Sequence, residues 1–408
     1  MKENGELPSR CPVRTCNSSL MSNKTMPVAN GDRILVLKCI YQFIEPKRWD
    51  VIVFKNPTEP TINYIKRLIG LPGEKVRIIN GDIYINDKIV RKPSKVQNEL
   101  WMPVYNNDYQ PVKPETGYFN GHKWEQPFSN LEGSNWIITD SNKPTIFSLE
   151  SSPGQIHRIS YDTSIGNDFK ATYAYDDVDR YSYMPICSDL MVRFDCRAAG
   201  SQGCIGIALS KYETTYKAWI DLAGEMIIAR IDQNGQTSDL ARLGPVPVTE
   251  SAKIKFANVD HLLIFQYGNE KLSYDLGRGM DDAGPVGEDS EPRVEIFGSG
   301  KLTLSHIAIY RDIHYTEHKY GNSGEFGTAT KEAFVLEEDQ FFVLGDNSPN
   351  SEDGRWWGNP GVSNKGLPQY RVGTVPRDYL VGKALFVYWP SGFKPFAKFP
   401  FGIIPNVG

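Results

Sequence analysis

The sequence predicts an all-β fold, and three observations carry that reading. Short apolar runs rich in Val, Ile, Phe and Tyr recur along the chain, bounded by Asn, Gly, Asp and Pro clusters. Asn80-Gly81-Asp82 between two such runs is a strong hairpin signal. The 36 Gly, 27 Pro and 12% aromatic residues suit strands joined by many turns. A length of 408 residues suggests two or three domains with ample core.

Residues 1–29 are polar and lack periodicity, and they read as irregular. Strand candidates begin with residues 34–37 and 51–54, the latter bounded by Asn56-Pro57. Residues 64–69 follow, then 75–79 and 83–85 flanking the hairpin turn, then 88–90. Residues 100–135 are rich in Trp, Tyr, Asn and Pro and read as a long connection. A series of short strand candidates then spans 136–138, 157–161, 169–175, 190–194, 205–209, 217–221, 226–231, 254–256, 262–267, 294–297 and 302–310. Their spacing is that of a β-sandwich. In the last of them Leu302 and Leu304 alternate and then Ile307 and Ile309 change phase, which predicts a bulge near Ser305-His306. Strand signals resume at 334–336 and 341–344.

Composition excludes some functions. The 45 basic and 49 acidic residues are mixed along the chain, for a formal charge of -4, which gives no support to nucleic-acid binding. No stretch approaches the roughly 18 apolar residues of a membrane span, and the polar first residues do not read as a signal peptide. Cys11 and Cys16 have half of a zinc-ribbon spacing but no second pair nearby, so no metal site is expected. Cys187, Cys196 and Cys204 fit either one disulfide or three buried thiols. His314 and His318 are four apart, yet Ile313, Tyr315 and Thr316 around them favour strand over a helical metal pair. No cofactor is expected.

One segment points to chemistry. Lys66 stands between Ile65 and Leu68 and is followed by a turn, Gly70-Leu71-Pro72-Gly73. Burying a lysine disfavours its charged form, and a neutral lysine is the general base of a Ser/Lys hydrolase. Far downstream lies Gly345-Asp346-Asn347-Ser348-Pro349-Asn350-Ser351-Glu352-Asp353-Gly354-Arg355, then Gly382-Lys383-Ala384. With Gly31-Asp32 upstream, these segments in this order resemble bacterial type I signal peptidase, the Ser/Lys enzyme that removes leader peptides from exported proteins.

The resemblance covers about residues 30–95 and 335–390. It implies a signal-peptidase-like β catalytic domain interrupted by an insert, whose strand series resembles the β-sandwich of concanavalin-like and laminin-G-like domains without a specific motif. The expected boundaries are an irregular segment 1–29, catalytic parts 30–95 and 331–392, a connection 96–135, the insert 136–330 and a tail 393–408. An enlarged insert at this place is similar to that of planctomycete-type signal peptidases. The resemblance assigns Lys66 as general base and Ser351 as the hydroxyl that orients it. It assigns Asp346, Asp353 and Arg355 as braces of the site. Two positions depart from the family pattern: Ser348, where arginine is frequent, and Gly354, where serine is common. The expected consequence is a thinner salt-bridge network.

The nucleophile is not identified. The family's Ser-Met-x-Pro-Thr segment has only an echo here, Thr25-Met26-Pro27, and Ser22 is nearer the expected distance but has other neighbours. Three readings stay open: a serine and membrane anchor upstream of Met1, an inactive relative, or Ser22 or Thr25 in the role. The family implies preprotein leader peptides as substrates, cut after small residues. It also implies a place on the outer, periplasmic face of the bacterial cytoplasmic membrane. In the inactive reading the sandwich binds a glycan or protein, with Trp101, Trp124, Trp136 and Trp219 as candidate contact residues and core packing as the alternative role for each.

Overall fold

The computed structural model describes residues 33–110, 118–119, 122–140, 142–172, 184–282, 291–319, 325–363 and 367–389. They fall into two compact units, residues 80–316 in one and the flanking 33–79 and 317–389 in the other.

The flanking unit is a six-stranded antiparallel sheet in the order Arg33–Lys38, Leu380–Trp389, Val51–Lys55, Asn63–Gly70, Gln340–Leu344, Val375–Pro376. Alternation sets its faces: Ile52 and Phe54 are fully buried between half-exposed neighbours. They pack with Leu68, Phe341, Val343, Trp357, Val375 and Tyr379. Each such side chain gains about 1.5–3 kcal/mol from burial, so this small core alone can fix the register. Ile52 stands opposite Lys66, and Leu344 opposite Arg67. The strand Lys75–Ile79 pairs with Phe334–Val335.

The other unit is a sandwich of two seven-stranded antiparallel sheets. The first runs Phe128–Asn130, His157–Tyr161, Val294–Ser299, Cys204–Lys211, Thr214–Asp221, Glu225–Ile231, Thr237–Leu243. The second runs Phe147–Glu150, Lys301–Arg311, Leu190–Ala198, Ser251–Val259, Leu262–Tyr267, Glu270–Asp275, with Met102–Asn106 added to Lys301–Arg311. One core joins them: Ile205, Ile207 and Ile228 of the first sheet with Val192, Phe194, Phe256 and Phe265 of the second.

The stretch read as a connection is largely built into this sandwich. It supplies the helix Ser94–Leu100 and the strands Met102–Asn106 and Phe128–Asn130. The expected strand at 136–138 is reduced to one bridge, Ile137 to Ser148. Trp136 is buried and donates its indole N–H to His157 O at 3.1 Å, so it is a core residue rather than a ligand contact. At the expected bulge, Arg193 faces Ala308 and Asp195 faces Ser305, and His306 between them has φ 55°. Cys187, Cys196 and Cys204 are free thiols. No helix among the described residues is long and apolar enough to cross a membrane. Residues 1–29, with Cys11, Cys16, Ser22 and Thr25, lie outside the described residues.

Candidate functional site

In the flanking unit, the strand Asn63–Gly70 delivers Lys66, and the turn after Gln340–Leu344 delivers residues 345–355. The two meet where Lys66 Nζ donates to Ser351 Oγ at 2.8 Å. Burial is the main influence on Lys66 and pulls its ammonium below the ordinary lysine value of 10.5. Asp353 opposes that pull, and Arg355 adds to it. The Tyr64 ring lies 5.6 Å from Lys66 Nζ.

Ser351 is 8% exposed and is wedged against the backbone at Gly345. A Cβ added at Gly345 would lie 2.0 Å from Ser351 Oγ and 3.3 Å from Lys66 Nζ. Only glycine leaves room for this hydroxyl beside the amine. The Gly345 N–H donates to Asp353 Oδ2 at 2.9 Å, which ties the two ends of the loop together.

Asp353 and Arg355 are both fully buried and form a bidentate pair, Nε to Oδ1 at 2.9 Å and Nη2 to Oδ2 at 2.8 Å. The network is not thinner for lack of arginine at 348. Ser348 is fully buried, its Oγ accepts from Arg355 Nη1 at 2.7 Å, and its carbonyl accepts from Nη2 at 2.9 Å. The hydroxyl and carbonyl of a small residue satisfy donors that a second cation would repel. Glycine at 354 has its own reason: a Cβ there would lie 2.8 Å from the Phe342 ring and 2.9 Å from Gly373 O.

Arg67, next to Lys66, was not assigned a role from the sequence. It is 5% exposed, forks onto Asp346 at 2.9 and 2.8 Å, and donates to Trp49 O at 3.1 Å. Its adjacency to Lys66 was the available signal, since an arginine in a buried strand needs a carboxylate. The arrangement is therefore a desolvated lysine, a hydroxyl that fixes its direction and two Arg–Asp pairs that hold strand and loop. Chemically, a desolvated amine held in one direction is suited to accept a proton from a hydroxyl.

The sandwich has a separate buried charge cluster. Carboxylates of Asp82, Asp189 and Asp260 lie within 4.8 Å of one another, a spacing that could hold a metal ion. Two of them already have cations. Lys211 donates to Asp189, and Lys92 bridges Asp260 at 2.6 Å and Asp312 at 2.7 Å. Those ammoniums take the place a metal would need. Burial, then the neighbouring Asp189, pushes the Asp82 carboxyl well above its ordinary range, while Lys211 opposes. Gln97 donates to Asp312 at 2.7 Å. His314 and His318 are not part of this group, and His318 stacks on Phe326 across a strand-like bridge.

The chain matches the sequence model of a family described as signal peptidase, peptidase S26, over residues 14–124 and 294–389, about half its length. It is 52% identical over 48 residues to Signal peptidase I of Rickettsia typhi and, to the same extent, to that of Rickettsia prowazekii. The shared stretch is 12% of this chain and 18% of each relative, so the match spans less than a fifth of their length. Among solved structures it is similar to carbohydrate binding module CBM66 from Bacillus subtilis, at 11% identity over 45% of this chain and 96% of that one, with a TM-score of 0.29. It is also similar to sheep galectin-11 in complex with glycerol, at 10% identity over 31% and 92%, with a TM-score of 0.23.

Proposed function

The chain belongs to the signal peptidase S26 family, and from that premise we propose that it is a serine-type endopeptidase that removes leader peptides from exported preproteins. The observation that carries this is the 2.8 Å contact between a desolvated Lys66 and Ser351. In this reading neutral Lys66 takes the proton from the nucleophilic hydroxyl as that oxygen attacks the scissile carbonyl. It then gives the proton to the leaving amine. Ser351 orients Lys66 rather than attacking, because it is buried against Gly345. Asp353, Arg355, Asp346 and Arg67 hold the loop and strand in register. Ser22 and Thr25 are the nucleophile candidates within this sequence. Cleavage follows small residues of an Ala-x-Ala pattern. Exposed Leu35, Leu37, Phe43 and Ile44 on the edge strand and the turn after it support work close to a membrane surface.

The test is cleavage of a preprotein bearing an Ala-x-Ala site. Lys66→Met should lower the rate by about a hundred- to ten-thousand-fold. It should leave the melting temperature unchanged or raised, because a desolvated charge is removed. The wild-type rate should climb with pH as Lys66 loses its proton, with a midpoint below 10.5. Undiminished cleavage by Lys66→Met rules out this mechanism.

A further inference from the structure

We infer that the outer face of the second sandwich sheet binds an acidic polysaccharide through a row of three cations, Arg193, Lys255 and Lys271. Strand alternation puts them there. Val192, Phe194, Ile254, Phe256, Phe265 and Leu272 point into the core, so their neighbours Arg193, Lys255, Gln266 and Lys271 share the opposite face. The register then aligns them. Arg193 faces Lys255, Lys255 faces Gln266, and Gln266 faces Lys271, one from each of four successive strands. At a strand spacing of about 4.8 Å, the row crosses the sheet at right angles to its strands.

The fold gains nothing from this arrangement. Like charges directly opposite on neighbouring strands repel. Lys255 is half-buried, and the charges that reach it are those of Lys271 and Arg193, both cations. No carboxylate among the described residues forms an ion pair with any of the three. Of the acids on the same face, Asp195 stands opposite Lys253 one level along the strands, and Asp275 is paired with Arg91. A repulsion maintained without a partner fits a ligand that brings the anions. Arg193 is prepared for one: its guanidinium lies 4.9 Å from the centre of the Tyr310 ring, which fixes the plane of its fork. Gln266 donates its amide N–H to Gly268 O and keeps its side-chain carbonyl to accept from hydroxyls.

Position and surroundings select the polymer. An extended peptide gains affinity by pairing its backbone along a sheet edge, whereas this row runs across the strands and meets the edge strand Glu270–Asp275 only at Lys271. A lipid surface needs apolar side chains to insert, and the residues flanking the row, Met191 and Ala257, are 3% and 1% exposed. Carboxylated or sulfated sugars supply anions along a line, and hydroxyls between them.

The experiment is affinity electrophoresis of the full chain at low salt in gels containing polygalacturonate, dextran sulfate or neutral dextran. The wild type should be retarded by one or both acidic polymers and not by dextran, and added salt should abolish the retardation. Arg193→Ala/Lys255→Ala/Lys271→Ala should weaken it roughly tenfold or more, with circular dichroism and preprotein cleavage unchanged. Arg193→Ala alone should weaken it in part. Lys301→Ala, which removes an exposed cation elsewhere, should not. Equal retardation of wild type and triple variant overturns the inference, as does no retardation by either acidic polymer. Binding to phosphatidylserine vesicles that depends on the row, without polymer binding, also overturns it. Because cleavage is read separately, failure here leaves the peptidase assignment standing, and the reverse holds.

Discussion

The two units bury charge in opposite ways. In the flanking unit three arginines each have their own carboxylate: Arg355 with Asp353, Arg67 with Asp346, Arg48 with Glu74. In the sandwich four carboxylates, Asp82, Asp189, Asp260 and Asp312, share two lysines. One-to-one pairing with two-toothed geometry suits a loop that must hold Ser351 in one position. A buried pair of this kind contributes little net stability, but losing one member leaves the other charge stranded. The surplus acid of the sandwich has a different consequence. Burial and the neighbouring Asp189 raise the Asp82 carboxyl well above its ordinary range, which makes the region sensitive to pH.

Breaking the balanced pair should give the largest stability effect. Asp353→Ala leaves Arg355 fully buried without its carboxylate, and unfolding should lose about 3–5 kcal/mol. Urea unfolding of the full chain followed by circular dichroism reads this loss. An unmoved transition would show that the pair does not hold the loop. A smaller effect of opposite sign is expected at Asp82. Its folded-state carboxyl titrates above the ordinary 3.8, so its contribution is fully present below that pH and is lost as pH rises through the higher folded value. Asp82→Asn should match the wild type in acid and exceed it in melting temperature at neutral and alkaline pH. A variant that melts below the wild type at pH 8 would contradict the surplus-acid account. The smallest effect belongs to the cation row. Lys255→Gln relieves a cross-strand repulsion and should stabilise by about 0.2–1 kcal/mol. Destabilisation would mean that the row contributes to the fold after all.

The same contrast governs what was legible in the sequence. Asp353 and Arg355 stand two residues apart, so their pairing could be read directly. Lys66 and Ser351 are 285 positions apart, and only the family pattern joined them. The partner of Arg67 was missed although Arg67 adjoins Lys66 and Asp346 lies within the downstream motif, because charge alone does not say which carboxylate will face a strand. Lys92 bridges acids 168 and 220 positions away, and no local signal marks that contact. Two strands left unnamed, Thr237–Leu243 and Glu270–Asp275, lie at sheet edges. Their outward positions carry Thr, Asp, Arg, Glu and Lys, so an apolar pattern has little to register.

One contact of the sandwich bears on how the whole chain reaches its native state. Tyr315 N–H donates to Gly81 O at 3.1 Å, so the two ends of the unit 80–316 are neighbours. A chain forming the Lys66–Ser351 contact before the insert has folded must close a loop of nearly 300 residues. Once the sandwich is formed, the same contact closes only the short segments outside it. The entropic cost of closure grows with the logarithm of loop length, so the folded insert acts as a short tether. Formation of the Lys66–Ser351 contact then follows the folding of a domain that carries neither residue, and a lesion in the sandwich core would appear first as slow formation of that contact.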